Sequence, residues 1–224
     1  MSETILPANR KPPTKGSKLF APGPPWRPHA DLTVGAANWD AYALGYKVAG
    51  DLLAGHVGDS PFHSNVLGFP VVYLYRHYLE LRLKDLLVLT ARLLGLPEEA
   101  PEGHHLLDLW QKLRPGLQQI RPEGRGDFDA VEDTIEQFAE LDPSSETFRY
   151  PVYKDGRSTL RFTPQRVAEN RDIDVVRLRE TVDAIEGVLD ACSTGMSELL
   201  EANAEAVAEG RTEAARYQAE LGAY

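Results

Sequence analysis

The sequence predicts an all-α protein, a helical bundle around one long central helix. Three observations support this fold class. The stretch from Phe69 to Leu94 is the longest one dense in apolar residues, and several other segments repeat apolar residues every three or four positions. One short region, 148–162, changes to the pattern of a strand. We therefore expect a small β-hairpin or an ordered loop there, inserted between helices.

The central helix carries apolar residues over an arc of roughly 200°, too broad for a helix with one side in water. The remaining face holds a polar stripe: Arg76, His77, Glu80 and Lys84. Its charged members follow at the four-residue spacing at which opposite charges on a helix meet. The stripe is either a solvated face with ion pairs or a recessed polar site, and the pattern leaves both interpretations open.

Arg82 and Asp85 interrupt the apolar arc three residues apart. Ionisable groups among apolar residues are costly unless they are paired. We expect an intrahelical pair that closes a core or an interface. The broad arc and this pair also favour self-association, and we expect a two-fold homodimer.

Before the central helix, small and aromatic residues recur at helical spacing from Asn38 to Gly55. We expect one side of this helix in the core: Trp39, Tyr42, Ala43, Tyr46, Ala49 and Leu53. Residues 56–68 are rich in Gly, Ser, Asn and Pro and are predicted to form a loop. Pro70 would then lie in the first turn of the central helix.

Three more helices are predicted after the central one, at residues 105–117, 127–141 and 174–208. The helical domain is expected to span residues 35–200. Residues 201–224 are rich in Ala and Glu and poor in large apolar side chains, which predicts a helical tail.

Residues 1–30 are set apart by composition. They hold seven of the 16 prolines, and five Lys or Arg against one Glu, in a chain whose net charge is −10. We expect a disordered, Pro-rich basic tail. The alternative is an arm that lies across an acidic partner subunit.

Composition bounds the function. A net charge of −10 argues against an extended nucleic-acid-binding face but leaves room for a local basic groove. Cys192 is the single cysteine, so an intramolecular disulfide framework is excluded. No apolar run reaches the roughly 18 residues that span a bilayer. We expect a cytoplasmic protein that does not enter a membrane.

The region 148–162 is the most basic patch of an acidic body, with aromatic residues interleaved; its members are Arg149, Tyr150, Lys154, Arg157 and Arg161. The cations are either paired with acids or reserved for an anion. No cofactor fingerprint and no metal-ligand spacing such as HExxH occurs, and the adjacent His104 and His105 point in different directions. We expect neither a cofactor nor a metal.

Three strings resemble a bacterial branch of the HEPN-like helical-bundle proteins: LYRHYLELRLKDLL at 74–87, GHHLLDLWQKL at 103–113 and ELDPSSETFRYPVYKDG at 140–156. Their order and spacing match as well as their content, over roughly residues 35–200. The resemblance implies an all-α bundle that is often dimeric. Members of that superfamily include ribonuclease toxins, phage-defence effectors, nucleotide-binding modules and inactive structural partners.

The active ribonucleases of that superfamily carry an Arg, four to six residues, and then a His. No histidine of this chain has an arginine five to seven positions before it. The departure favours a non-catalytic HEPN-like module that binds a nucleotide, an RNA segment or a partner protein, in a bacterial defence or toxin–antitoxin setting. Its ligand-binding residues would be Arg76, Lys84, Arg149, Tyr150 and Lys154.

The alternative is a ribonuclease or another phosphate-directed enzyme with an unusual site. His77 or His105 would be the general acid or base, with Glu80 as a further catalytic candidate. Arg76, Lys84 and Arg149 would stabilise phosphate charge. Either way, we expect the functional surface where Arg149 and Tyr150 meet the polar stripe.

Overall fold

The computed structural model describes residues 14–21, 23–33, 35, 38–160 and 172–221. The chain divides into two units, Met1–Ala36 and Ala37–Tyr224. The described residues of the first unit form turns and contain no helix or strand. Residues 1–13 of the predicted tail lie outside the described residues, so its disorder stays a prediction.

The second unit is helical, which confirms the predicted fold class. Over its described residues, the α-helices are α1 (Trp39–His56), α2 (Pro61–Leu93), α3 (Leu106–Ile120), α4 (Arg125–Leu141) and α5 (Val175–Leu221). Single 3-10 turns lie at Val57–Asp59 and Pro122–Gly124. Helices α1, α3 and α5 pack on α2, and α4 packs on α3. The central helix therefore lies where the sequence pattern predicted it.

The start of α2 corrects the sequence analysis, because Pro61–Gly68 is helical and not a loop. Ser60 caps the helix: its hydroxyl accepts a hydrogen bond from the backbone N–H of His63 at 3.1 Å. Pro61 occupies the first turn, where the missing N–H costs nothing. Pro70 therefore lies inside the helix and leaves the carbonyl of Val66 without its helical donor.

The C-terminus of α2 is capped by a glycine. Gly95 has φ +65°, the left-handed conformation that a glycine adopts without strain. Its N–H donates to the carbonyl of Arg92 at 3.2 Å, and the N–H of Leu96 donates to that of Ala91 at 2.8 Å. These two bonds form a Schellman motif that satisfies the last carbonyls of the helix.

The core side of α1 is largely the predicted one: Ala43 is buried, and Trp39, Tyr46 and Leu53 pack partly buried against the core, with Tyr42 as the exception. Its buried residues are Ala43, Lys47 and Gly50, whereas Tyr42 is 54% exposed. The small residues allow α2 to approach closely: a Cβ added at Gly50 would lie 2.7 Å from Cε1 of Tyr75. Close approach at Gly50, and not aromatic packing by Tyr42, sets how α1 meets the central helix.

Two buried cations join α5 to α1 and α2. Lys47 Nζ lies 2.9 Å from Asp51, 2.6 Å from Asp183 and 3.0 Å from Glu186. The predicted Arg82–Asp85 pair is present at 3.3 Å. Arg82 also reaches Asp40 at 2.6 Å and Asp190 at 2.9 Å, so the pair closes the core of this chain.

Helix α5 is longer than predicted and continues through the residues assigned to a separate tail. Its last core residue is Met196, and residues 201–218 are all exposed. The region predicted as a small β-hairpin or an ordered loop is an ordered loop over its described residues, 148–160. One antiparallel bridge joins Val152 and Ser158 across a turn in which Gly156 has φ +81°. Among the described residues, no helix has both the length and the apolar character needed to cross a membrane.

We predict opposite effects for two glycines of α1. Gly50→Ala forces a methyl group against the buried Tyr75 ring and should lower the free energy of unfolding by about 1–3 kcal/mol. Gly45→Ala is the matched control, because nothing lies within 4 Å of its added Cβ. The control should raise the free energy of unfolding by up to about 1 kcal/mol, the helix-propensity gain. Urea denaturation measures both, and a Gly50→Ala variant as stable as Gly45→Ala would contradict the packing.

Candidate functional site

The polar stripe of α2 is buried. Arg76, Glu80 and Lys84 are 0%, 1% and 6% exposed and His77 is partly buried, so the interpretation as a solvated face is wrong. Glu80 is the hub. One of its carboxylate oxygens accepts a hydrogen bond from Arg76 Nη1 at 2.7 Å. The other accepts from Lys84 Nζ at 2.9 Å and from His104 Nδ1 at 2.7 Å.

These partners keep Glu80 ionised. Burial acts to raise the pKa of its carboxyl, but contacts from His77, Lys84, His104 and Arg76 outweigh burial. The pKa is held well below its usual range. Glu80 is therefore a fixed buried anion and not a group poised to exchange a proton near neutral pH.

Arg76 connects this anion to two other parts of the chain. Its Nη2 donates to the backbone carbonyl of His104, directly before α3. Its Nε lies 3.3 Å from Oδ2 of the buried Asp142, an ion-pair contact without hydrogen-bond geometry. The other oxygen of Asp142 accepts from the backbone N–H groups of Glu146 at 2.9 Å and Thr147 at 3.0 Å. We call Arg76, Glu80, Lys84, His104 and Asp142 the buried network.

A row of rings and one guanidinium lies at the edge of the buried network. The His77 ring is edge-on to Tyr46 at 4.3 Å between centroids and stacked on Tyr73 at 5.7 Å. The Arg149 guanidinium lies 5.9 Å from the Tyr73 ring centroid and 5.3 Å from that of Tyr150, within cation–π range. We call these five residues the aromatic row. His77 connects it to the network, since its Nδ1 is 3.9 Å from Glu80 Oε2.

The described cations of the basic patch differ: one is paired with an acid, and two have no acidic partner among the described residues. Arg157 is paired: its guanidinium lies 2.6 Å from the Asp155 carboxylate. Among the described residues, no carboxylate forms an ion pair with Arg149 or Lys154. Both line a shallow depression of about 490 Å³ together with Glu146, Tyr150, Val152 and Tyr153. Arg161 lies outside the described residues.

The predicted site residues therefore have different positions. Arg149, Tyr150 and Lys154 are exposed, whereas the charged groups of Arg76 and Lys84 face Glu80. A ligand would meet Arg149 and Lys154 first.

The candidate histidines differ as well. His77 belongs to the aromatic row, while His105 Nδ1 contacts the carbonyl of Pro143 at 2.5 Å. The sequence analysis did not single out His104, whose ring is 69% exposed and bonded to Glu80. It also missed Asp142, although the turn-forming string Asp142-Pro-Ser-Ser is a signal for a side chain that bonds nearby backbone N–H groups.

The arrangement suits binding by stacking and charge. Tyr150 is half exposed and offers a ring face on which bases stack independently of sequence, whereas Tyr73 is already stacked on His77. Arg149 offers a planar donor that matches a phosphate group. Within the described residues, no group of three or more His, Cys, Asp or Glu side chains could hold a metal ion.

The buried network predicts a specific pH dependence of stability. Because the pKa of Glu80 is depressed in the folded state, its charge stabilises the fold above the ordinary pKa of 4.5, and this contribution is lost as the pH falls below that value. Glu80→Gln should lower the free energy of unfolding at pH 7 by about 3–5 kcal/mol, because Arg76 and Lys84 lose their anion. The variant should also lose less stability than the parent between pH 5 and pH 3.

Glu98→Gln is the matched control for Glu80→Gln. Glu98 pairs with Arg92 at the surface, with both side chains about half exposed. Its removal should cost less than about 1 kcal/mol. Urea denaturation at pH 7, 5 and 3 compares the variants, and equal pH slopes for Glu80→Gln and the parent would refute the assignment.

Comparison with known proteins gives no match: no protein-family model, no curated protein and no solved structure is similar to the chain. The likeness of the three strings to HEPN-like proteins therefore stays an expectation from the residues. The function has to be argued from the site.

Proposed function

We propose that the chain is a non-catalytic HEPN-like module that binds a nucleotide or a short single-stranded RNA segment at the aromatic row and Lys154. The observation that carries the proposal is the state of Arg149. Its guanidinium is exposed, lies between two tyrosine rings and has no carboxylate partner among the described residues. In an acidic chain that pairs its buried cations, such an arginine is available for an anion.

The aromatic rings and the exposed cations of the site together indicate the class of ligand. A base stacked on Tyr150 contributes roughly 1–3 kcal/mol, and Arg149 with Lys154 neutralises phosphate. The net charge of −10 repels a long polyanion, so a mononucleotide or a short strand fits better than a duplex. Glu146 lines the same depression and would disfavour phosphate directly beside it. A partner protein that presents a phosphate or carboxylate is the remaining member of the expected ligand class.

The proposal includes a two-fold homodimer, a cytoplasmic location and a bacterial defence or toxin–antitoxin setting, all of which come from the sequence and its resemblance. Support for the non-catalytic assignment comes from the missing Arg-to-His signature and from the burial of Arg76 and Lys84. Both cations are bonded to Glu80, so neither is directed at a bound phosphate.

One observation favours the enzyme alternative, a ribonuclease or other phosphate-directed enzyme. Glu80 fixes the His104 ring through Nδ1, and the ring is largely exposed. A histidine oriented by a carboxylate is an arrangement used in general base catalysis. The role predicted for His77 or His105 would then pass to His104. Cleavage of RNA by the purified protein that disappears in His104→Ala would favour this alternative over the binding module.

We predict that Arg149→Ala weakens nucleotide binding about 10- to 100-fold, because a charge-assisted hydrogen bond contributes about 1.5–3 kcal/mol. It should also reduce the salt dependence of binding while leaving the melting temperature nearly unchanged, since Arg149 is exposed. Fluorescence titration with a labelled nucleotide and a short RNA oligonucleotide measures the affinity at two salt concentrations.

Arg157→Ala is the matched control, an exposed arginine of the same loop that is paired with Asp155. The affinity of this variant for the nucleotide should stay within about twofold of the parent's, because the Arg157 guanidinium is already paired with Asp155. Equal losses in both variants would mean that general charge, and not the aromatic row, attracts the ligand. No measurable binding in the parent would remove the proposed function.

A further inference from the structure

The outward side of α1 carries an unusual surface for a helix in water. Its three charged residues are all engaged with other helices: Asp40 with Arg82, Lys47 with Asp183, and Asp51 with the hydroxyl of Tyr75. What remains exposed along the helix is an apolar row at four-residue spacing: Leu44, Val48 and Leu52. The charged residue in line with this row, Asp40, is half exposed at its start and is paired with Arg82.

The first turns of α2 continue this character. No residue from 61 to 70 is buried, and one face carries Phe62, Val66 and Phe69. Residues 52–75 contain Asp59 and no Glu, Lys or Arg, in a chain that is 26% charged. The six large side chains of the two rows are each between 46% and 63% exposed. We call them the apolar rows.

The surface first expected to join two copies is not available. The apolar arc of the central helix is filled by α1, α3 and α5 of the same chain, and Leu79, Leu83 and Leu86 are fully buried. Arg82 and Asp85 are likewise closed by Asp40 and Asp190. Within the part of the chain that the structure describes, the apolar rows stay exposed.

We propose that a second copy of this chain docks on the apolar rows of α1 and α2, an inference that rests on the homodimer in the proposed function and assigns its contact surface. The net charge of the chain favours a second copy meeting this surface. Two chains of net charge −10 repel each other, so they can meet closely where the surface is neutral. A two-fold contact places the same patch on both sides, and apolar side chains need no opposite charge across it.

The same charge argument disfavours charged occupants. A charged partner protein would need complementary charges in the rows, and an anionic membrane would need Lys or Arg around them. Residues 52–75 supply no cation.

The area of the apolar rows is also consistent with a specific contact. Six large side chains of roughly 150–200 Å² each, about half exposed, present on the order of 500 Å² per copy. Doubled across a two-fold axis, this comes to about 1,000 Å², at the lower end for specific interfaces. Because Phe69 precedes Tyr73 by one turn of α2, the second copy would adjoin the aromatic row.

Sedimentation equilibrium of the full chain tests this inference. The parent should show about twice the chain mass of 24.9 kDa at micromolar concentration. Val48→Glu and Phe62→Glu each bring like charges together across the axis and should raise the dimer dissociation constant at least tenfold. Val207→Glu is the matched control, a similarly exposed valine on α5, and should keep the parent's mass.

The outcomes distinguish a failure of the homodimer from a failure of its proposed contact surface. A parent that is monomeric at all concentrations would overturn both this surface and the homodimer. A dimer that survives Val48→Glu and Phe62→Glu would overturn this surface alone, while nucleotide titration of the parent reports on the ligand site separately. Circular dichroism verifies folding, and Val48→Ser with Phe62→Ser, which weaken the contact without a new charge, replace any variant that does not fold.

Discussion

The buried guanidinium of Arg76 is the interaction on which the rest of the structure depends. A charge inside a protein costs several kcal/mol unless carboxylates and hydrogen bonds compensate for it. Here Glu80 lies one turn away on α2, Asp142 follows α4, and the carbonyl of His104 precedes α3. The arginine therefore holds three separate segments in register, and each of them leads to the candidate site.

Burial divides the charged residues of this chain into two groups with different tasks. Lys47, Arg76 and Arg82 lie inside and are matched by carboxylates from several helices, so they specify packing. Arg149 and Lys154 lie at the surface and have no ion pair among the described residues. Through Asp142 the buried network accepts hydrogen bonds from the backbone N–H groups of Glu146 and Thr147, shortly before Arg149, so it positions the segment that presents the exposed cations.

The sequence was sufficient for the fold class and for the central helix, because apolar periodicity over Phe69–Leu94 and 127–141 directly reports helices that bury one side or more. The sequence could not decide whether the polar stripe of α2 faced solvent or was buried. Periodicity tells which residues share a helix face but not what packs on that face, and the partners come from positions 24 to 66 residues further along the chain. The start of α2 was missed for a local reason, since Ser60 and Pro61 act as cap and first turn in a stretch whose Gly, Asn and Ser content predicts a loop.

The central claim is that Arg76 positions the Arg149 segment through Asp142, and amide hydrogen exchange in Arg76→Met tests it most directly. Loss of the guanidinium should weaken the hold on Asp142 and selectively speed exchange at Glu146 and Thr147, whose N–H groups bond its carboxylate. Amides around Val182 and Leu189 in α5, which take no part in the bonds of the buried network, should exchange as in the parent. Unchanged protection at Glu146 and Thr147, or equal loss of protection throughout the bundle, would contradict the account.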